Sequence, residues 1–307
     1  MSRPRIALVV NPAAGTHSAA DVAPGVVRCL SEGASVTVLS AAGPAETRAA
    51  VRGARTEHDA VLSLGGDGTA HAVLQELAGG TVPMGVIPAG TGNDMAKVLG
   101  VPADPLPAAA ALLEALRSGS VRRVDLGRTE SAAGSRWWFT VLCTGFDSAV
   151  NETANRLRWP RGPRRYDVAI AVEAIRLKPR RYRLVRDGQV EELTATMISV
   201  GNAPQYGGGK LIVPDARLDD GKLTICIVGP ITRRTLARMA PKLDVGGHVG
   251  HPAVRIVTAT EVVVESDTVG WADGERVGPL PLTSRAEAGA LPVLVPPGAQ
   301  VKGFAAH

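Results

Sequence analysis

The sequence predicts an α/β domain built on a doubly wound parallel sheet, followed by an antiparallel β-sandwich domain. Three features carry that expectation. Short apolar runs alternate with stretches at helical spacing from Ile6 to Arg117. Three of those runs end in glycine-containing turns. Beyond Gly127 the alternation gives way to short strands punctuated by Asp-Gly pairs.

Arg5 to Val10 is an apolar run of the buried parallel type, closed by Asn11-Pro12-Ala13-Ala14-Gly15. An Ala/Val-rich helix follows to about Leu30, then a strand from Ala34 to Ser40 and a helix from Ala45 to Arg55. The next stretch repeats one unit twice. Ala60 to Leu64 leads into Gly65-Gly66-Asp67-Gly68-Thr69 and a helix to Leu77. Met84 to Pro88 leads into Gly90-Thr91-Gly92-Asn93-Asp94 and a helix to Leu99. A helix from Leu106 to Arg117 follows, the character changes around Val121 to Gly127, and Val124-Asp125-Leu126-Gly127 ends the alternating half at a strand end or turn, predicting a nucleotide-binding domain at 1–127.

The second half, 128–289, reads as strands at Trp137–Cys143, Tyr182–Val185, Glu191–Val200, Leu223–Val228 and Val262–Glu265. Helices interrupt at Ala149–Arg156, Arg165–Leu177 and Thr232–Leu243, with turns at Asp187-Gly188, Asp220-Gly221 and Asp273-Gly274. A last apolar strand, Leu291–Val295, is expected to carry 290–307 back to the first domain.

The tandem glycine turns favour phosphate. Without a Cβ, Gly65, Gly66 and Gly68 let the backbone turn sharply and present N–H groups to an anion. The helix that opens at Thr69 adds unpaired N–H donors and its positive dipole end. Asp67 and Asp94 suit such a site once magnesium stands between carboxylate and phosphate. The alternative is that Asn93 or Asp94 caps a helix and the glycines only make tight turns. Neither loop matches the Walker or Rossmann pattern.

Lys and Arg number 34 against 29 Asp and Glu, a net charge of +5 that permits nucleotide phosphates, nucleic acid or an acidic membrane as partners. Aromatics at 3% give little for base stacking, and no recognition module appears, so nucleic acid is not expected. Cys29, Cys143 and Cys226 are far apart and read as buried thiols of a reducing compartment. No basic-then-apolar leader precedes the first strand, and no apolar run approaches the roughly 18–20 residues of a membrane span. A cytoplasmic location with peripheral membrane association is therefore expected. A homodimer stays open.

Gly-Gly-Asp-Gly-Thr at 65–69 and Pro-Ala-Gly-Thr-Gly-Asn-Asp at 88–94 resemble the nucleotide-binding signature of the diacylglycerol kinase catalytic-domain family. That family groups bacterial diacylglycerol and related lipid kinases with the sphingosine kinases, and its first domain is NAD kinase/phosphofructokinase-like. The first motif is shared with NAD kinases, while the second is narrower. The resemblance covers nearly the whole chain and implies ATP as co-substrate, Mg2+, and a lipid substrate entering between the domains. It implies nucleotide contacts at Asn11, Pro12, Gly15, Ser40, Gly65, Gly66, Asp67, Gly68, Thr69, His71, Gly90, Thr91 and Asn93. Asp67, Asp94 and Asp125 would form the catalytic magnesium network. Asp220, with the carbonyls of Arg217 and Lys222, would hold a structural magnesium. Asp273 of the Asp-Gly-Glu at 273–275 would be the general base, with Glu275 as fallback. From spacing alone, Asp273-Gly274 is a hairpin turn and Asp220-Gly221 another. Thr144-Gly145-Phe146-Asp147, Gly201-Asn202 and Gly207-Gly208-Gly209 would shape the lipid cleft as loops.

One departure stands out: the first motif continues with Ala70-His71, where the family has an apolar residue and Asn. His71 then either contacts phosphate through its imidazole or faces solvent. The basic segment Arg156, Arg158, Arg161, Arg164, Arg165, Arg176, Lys178, Arg180, Arg181 and Arg183, with Trp159 and Tyr166, is either a face for anionic lipid headgroups or a solvated charged surface. Diacylglycerol going to phosphatidic acid is the expected reaction. The alternatives are a sphingoid or other lipid kinase, an NAD kinase, or a catalytically silent nucleotide- or lipid-binding protein.

Overall fold

The computed structural model describes residues 3–12, 19–132, 134–160, 162 and 164–304. It divides into two compact units, Met1–Leu126 with Ala288–His307, and Gly127–Glu287.

In the first unit, β1 (Arg5–Val10), α1 (Ala19–Ser31), β2 (Ser35–Ser40), α2 (Pro44–Ala54), β3 (Ala60–Gly65), α3 (Asp67–Leu77) and β4 (Met84–Pro88) alternate as expected. Short α4 (Asp94–Val98) and longer α5 (Pro105–Ser118) follow. Strands β2-β1-β3-β4 pair in that order and in parallel, with Ile6 opposite both Val36 and Ala60, and Val61 opposite Met84. The centre of the sheet is apolar on both faces: every residue of β3 and β4 is buried. Helices cover both faces, α1 packing with α5 and α2 with α3. Edge strand β2 is exposed or half-buried throughout. Buried Glu76 on α3 receives hydrogen bonds from Arg48 and Arg52 of α2. These guanidiniums hold its carboxyl below the usual range, while burial acts the other way.

The second unit contains β5 (Val121–Ser131, whose first residues belong to the first unit), β6 (Gly134–Trp138), β7 (Val141–Cys143), α6 (Phe146–Arg156), α7 (Arg164–Ile175), β8 (Arg180–Arg186), β9 (Gln189–Ala195) and β10 (Met197–Gly201). Then come β11 (Leu223–Val228), α8 (Arg233–Met239), β12 (Val254–Ala259), β13 (Glu261–Glu265), β14 (Val269–Ala272), β15 (Glu275–Pro279) and β16 (Leu282–Leu294). One antiparallel layer runs β12-β11-β10-β7-β14-β15, and β16-β13-β8-β9 forms the other. Their facing side chains share one core, with Trp138, Tyr182, Leu184 and Val262 from one layer against Leu142, Ile198, Ile225 and Val277 from the other. This is the sandwich the sequence predicts.

Two predicted strands are broken. Glu191–Val200 splits at Thr196, whose N–H donates to Val228 O as the chain passes from one layer to the other. Trp137–Cys143 splits at Phe139-Thr140 for the same reason. Val254–Ala259 is a strand without a sequence prediction. The last strand begins at Leu282, not Leu291, because residues 283–289 are polar, small or half-exposed and give no apolar run. Its far end joins the first unit beside β4, through Val293 opposite Met84. Thr144–Asp147 is not a loop throughout: Gly145, at φ 71°, caps α6, which starts at Phe146. Cys143 and Cys226 are buried, Cys29 only partly.

Candidate functional site

In the first unit the strand order reverses between β1 and β3, β2 lying outside β1 and β4 outside β3. Loops leaving such neighbours diverge, and a crevice opens at the strands' carboxyl ends. Asn11 after β1, Gly43, Pro44 and Thr47 after β2, and Gly66, Gly68, Thr69 and Ala72 after β3 line it. A second hollow, against the other glycine loop, is lined by Val22, Pro88, Ala89, Gly90, Asn93, Ala103 and Pro105.

The two glycine loops are packed backbone against backbone. A Cβ on Gly90 would lie 2.4 Å from Gly66 Cα, so only glycine permits the approach. A Cβ on Gly65 would lie 2.5 Å from Thr69 Oγ1. Ala89 N–H donates to Gly65 O at 2.8 Å. Asp67 then ties the loops: its Oδ2 accepts Asn93 N–H and its Oδ1 accepts Asp94 N–H, each at 2.7 Å. Asn93, at φ 55°, folds back, accepting Gly90 N–H and donating to Gly90 O. No side chain caps α3 at Gly66, so its first-turn N–H groups suit an anion in the crevice.

The carboxylates of Asp67 and buried Asp94 flank one backbone point. A Cβ on Gly92 would stand 2.4 Å from Asp67 Oδ2 and 3.9 Å from Asp94 Oδ2. Two hard oxygen donors with waters completing the shell fit magnesium. Asp125 is used differently: it is buried and accepts Gly289 N–H at 2.7 Å. Among the described residues no group of three or more His, Cys, Asp or Glu side chains is placed to hold a metal ion.

His71 does not face solvent. It is buried on α3, hydrogen-bonded to Gln75 one turn on, and is absent from the crevice lining. Ser40 is exposed at the end of β2 and also outside the lining, as is exposed Thr91. Pro12 follows Asn11 in the turn after β1, and Gly15 lies outside the described residues.

In the second unit Asp273 sits at φ 49° in the β14–β15 hairpin, before Gly274 at φ 80°. Its Oδ2 accepts Phe139 N–H at 2.7 Å, and its Oδ1 accepts Thr140 N–H at 2.8 Å and Thr140 Oγ1–H at 2.6 Å. Buried Asn202 completes the corner, donating to Phe139 O. Glu275 opens β15 opposite Ala272. Asp220 accepts Lys222 N–H at 3.0 Å in the turn before β11, and Arg217 pairs with Asp219.

The sequence places Asp147 only in a segment expected to shape the lipid cleft, with no individual role. In the first turn of α6 its Oδ2 accepts Tyr206 O–H at 2.5 Å and Ser199 Oγ–H at 3.5 Å. Burial lifts its carboxyl from 3.8 to about 6, against the pull of those two donors. Titratable groups displaced this far occur at functional sites more often than elsewhere.

Comparison with known proteins agrees with these features. A family model described as diacylglycerol kinase catalytic domain matches residues 5–129, and one described as YegS C-terminal NAD kinase beta sandwich-like domain matches 140–295. The chain is 39% identical over 298 residues to a diacylglycerol kinase of Mycobacterium tuberculosis, covering 95% of each chain. It is 30% identical to one of Staphylococcus saprophyticus, covering 91% of each. A solved diacylglycerol kinase structure from Bacillus anthracis shares the fold at TM-score 0.75 and 18% identity, over 98% of this chain and 100% of that one. Matched over both units, the chain belongs to the diacylglycerol kinase family of lipid kinases.

Proposed function

We propose that the protein transfers the γ-phosphate of ATP to the free hydroxyl of diacylglycerol, giving phosphatidic acid. The observation that carries this reading is the pair of glycine loops closed on each other at Gly66 and Gly90 and tied by Asp67. Such a cradle presents backbone N–H groups to a polyphosphate while keeping carboxylates at its rim for a cation. Asn11, Gly66, Gly68 and Thr69 would contact the phosphates. Asp67 and Asp94 would hold magnesium, with Asp125 reaching it through water; when bound, the ion neutralises charge on the phosphate oxygens. Asp220 and its neighbouring carbonyls would take a second, structural ion.

Asp273 would accept the proton of the lipid hydroxyl, a role that needs its carboxylate within about 3 Å of the attacking oxygen. Its three donors fix the direction of the carboxylate. The lipid substrate implies peripheral contact with a membrane.

The test offers γ-labelled ATP and magnesium with diacylglycerol, a sphingoid base and NAD. Label in phosphatidic acid supports the reading. Label in NAD alone, or ATP binding without transfer to any acceptor, overturns it.

A further inference from the structure

The Asp273-Gly274 hairpin differs from its counterpart at Asp187-Gly188. Strands β8 and β9 pair in unbroken register, from Arg186 opposite Gln189 to Arg180 opposite Ala195. Strands β14 and β15 do not. Gly270 lies opposite Gly278 but Trp271 lies opposite Arg276, which leaves Val277 as the extra residue of a β-bulge. A bulge bends its strand and re-aims whatever lies beyond it. Beyond this one lie two residue pairs, Trp271–Arg276 and Ala272–Glu275, and then the turn that carries Asp273.

One side chain spans the pair next to the bulge. Glu152, half-buried on α6, accepts Trp271 Nε1–H at 3.1 Å and Arg276 Nε–H at 2.7 Å, both on Oε1. Its Oε2 accepts from the Arg156 guanidinium at 3.0 Å. Trp271 is buried and α6 packs against β14, so the carboxylate closes a packed contact rather than a loose surface pair. Burial opposes the charge on Glu152, yet its arginine and indole donors hold the carboxyl below the usual range.

The Asp273 carboxylate is tied to the β6–β7 corner by the N–H groups of Phe139 and Thr140 and by the Thr140 hydroxyl. A base loosens such bonds as it works, because a carboxylate that takes a proton becomes the weaker acceptor. The bonds of Glu152 do not change with that proton, and they fix the hairpin from its other side.

We propose that Glu152 is a positioning residue for phosphate transfer. By bridging Trp271 and Arg276 it holds the bulged hairpin, and with it Asp273, in place while the lipid hydroxyl is deprotonated. The inference rests on the reading of Asp273 as the base. Misplacing a reacting group by about 1 Å can cost about 10²-fold in rate, so the effect belongs in kcat and not in binding.

The test measures kcat, the KM of lipid and of ATP, and the melting temperature of the full-length protein, with micellar diacylglycerol as acceptor. Glu152→Ala should lower kcat about tenfold and leave both KM values within about twofold of wild type. Glu152→Gln still accepts the indole N–H but offers no charge to Arg276, and should fall between the two. Arg156→Ala, which keeps both hairpin contacts, should match the wild type. In Asp273→Asn no base remains to be placed, so adding Glu152→Ala should cost less than about twofold more. A lowered melting temperature with wild-type kcat in Glu152→Ala marks a merely structural tie and overturns the proposal. So does a loss confined to KM, or a tenfold loss that persists undiminished in Asp273→Asn. If Glu152→Ala does not fold, Glu152→Gln and Trp271→Phe take its place in the same comparison, each with an expected loss of about threefold in kcat. Asp273→Asn at wild-type turnover removes the base and this inference with it. A slow Asp273→Asn beside a wild-type Glu152→Ala removes this inference alone.

Discussion

Asp273 and Asp187 occupy equivalent places in two Asp-Gly hairpins, at φ 49° and 46°. Both turn their carboxylates onto backbone N–H groups of a neighbouring segment, Asp187 onto Thr260 and Glu261. The bonding pattern alone therefore does not mark a base, and a paired substitution separates the roles. Replacing either carboxylate with an amide sets an NH2 against backbone donors, so Asp187→Asn and Asp273→Asn should each cost about 1–3 kcal/mol of stability. Only Asp273→Asn should also lower turnover, by about 10²–10⁴-fold. Melting curves beside lipid-transfer rates read both effects. Asp147 gives a separate test. The folded protein holds its proton more tightly than the unfolded chain, so this group favours folding most below about pH 4, and that contribution is lost as pH rises to about 6. At neutral pH the penalty is up to about 3 kcal/mol. Asp147→Asn, which can still accept from Tyr206, should be as stable as the wild type or more so at pH 7, and should flatten the pH 4–6 slope in denaturant titrations. Local pattern could not show this residue's environment, because Tyr206 stands 59 positions away.

Among the elements, the tandem strand–loop–helix units are the most legible. Buried central strands read as unbroken apolar runs, and glycines sit where backbones must touch. Gly90→Ala tests that explanation: its methyl would meet Gly66 backbone, which cannot swing aside as a side chain can. We expect loss of about 1–3 kcal/mol and weaker ATP binding, whereas alanine at Gly68, where nothing lies within 4 Å, should change stability far less. Strand patterns run on where the chain changes layers. Continuous β-type sequence at 137–143 and 191–200 hides corners fixed by long-range bonds, from Asp273 to Phe139 and Thr140, and from Thr196 to Val228 and Gly229. Mixed polarity over residues 283–289 hides the first half of β16 from sequence pattern.

For the whole molecule, two units emerge from two kinds of pattern: alternating strand and helix in one, short strands and Asp-Gly turns in the other. The first carries the crevice at its strand-order reversal, and the second carries the proposed base. Net charge was legible at once, but not its distribution, since Arg233 meets Ile175 across 58 positions. The central claim is that the Asp67-tied loops hold the triphosphate for transfer to lipid. Its most direct measurement is kcat/KM for ATP in γ-phosphate transfer to diacylglycerol, wild type against Asp67→Asn. The account predicts a loss of about 10²-fold or more with the lipid KM unchanged. A value within about twofold of wild type would contradict it.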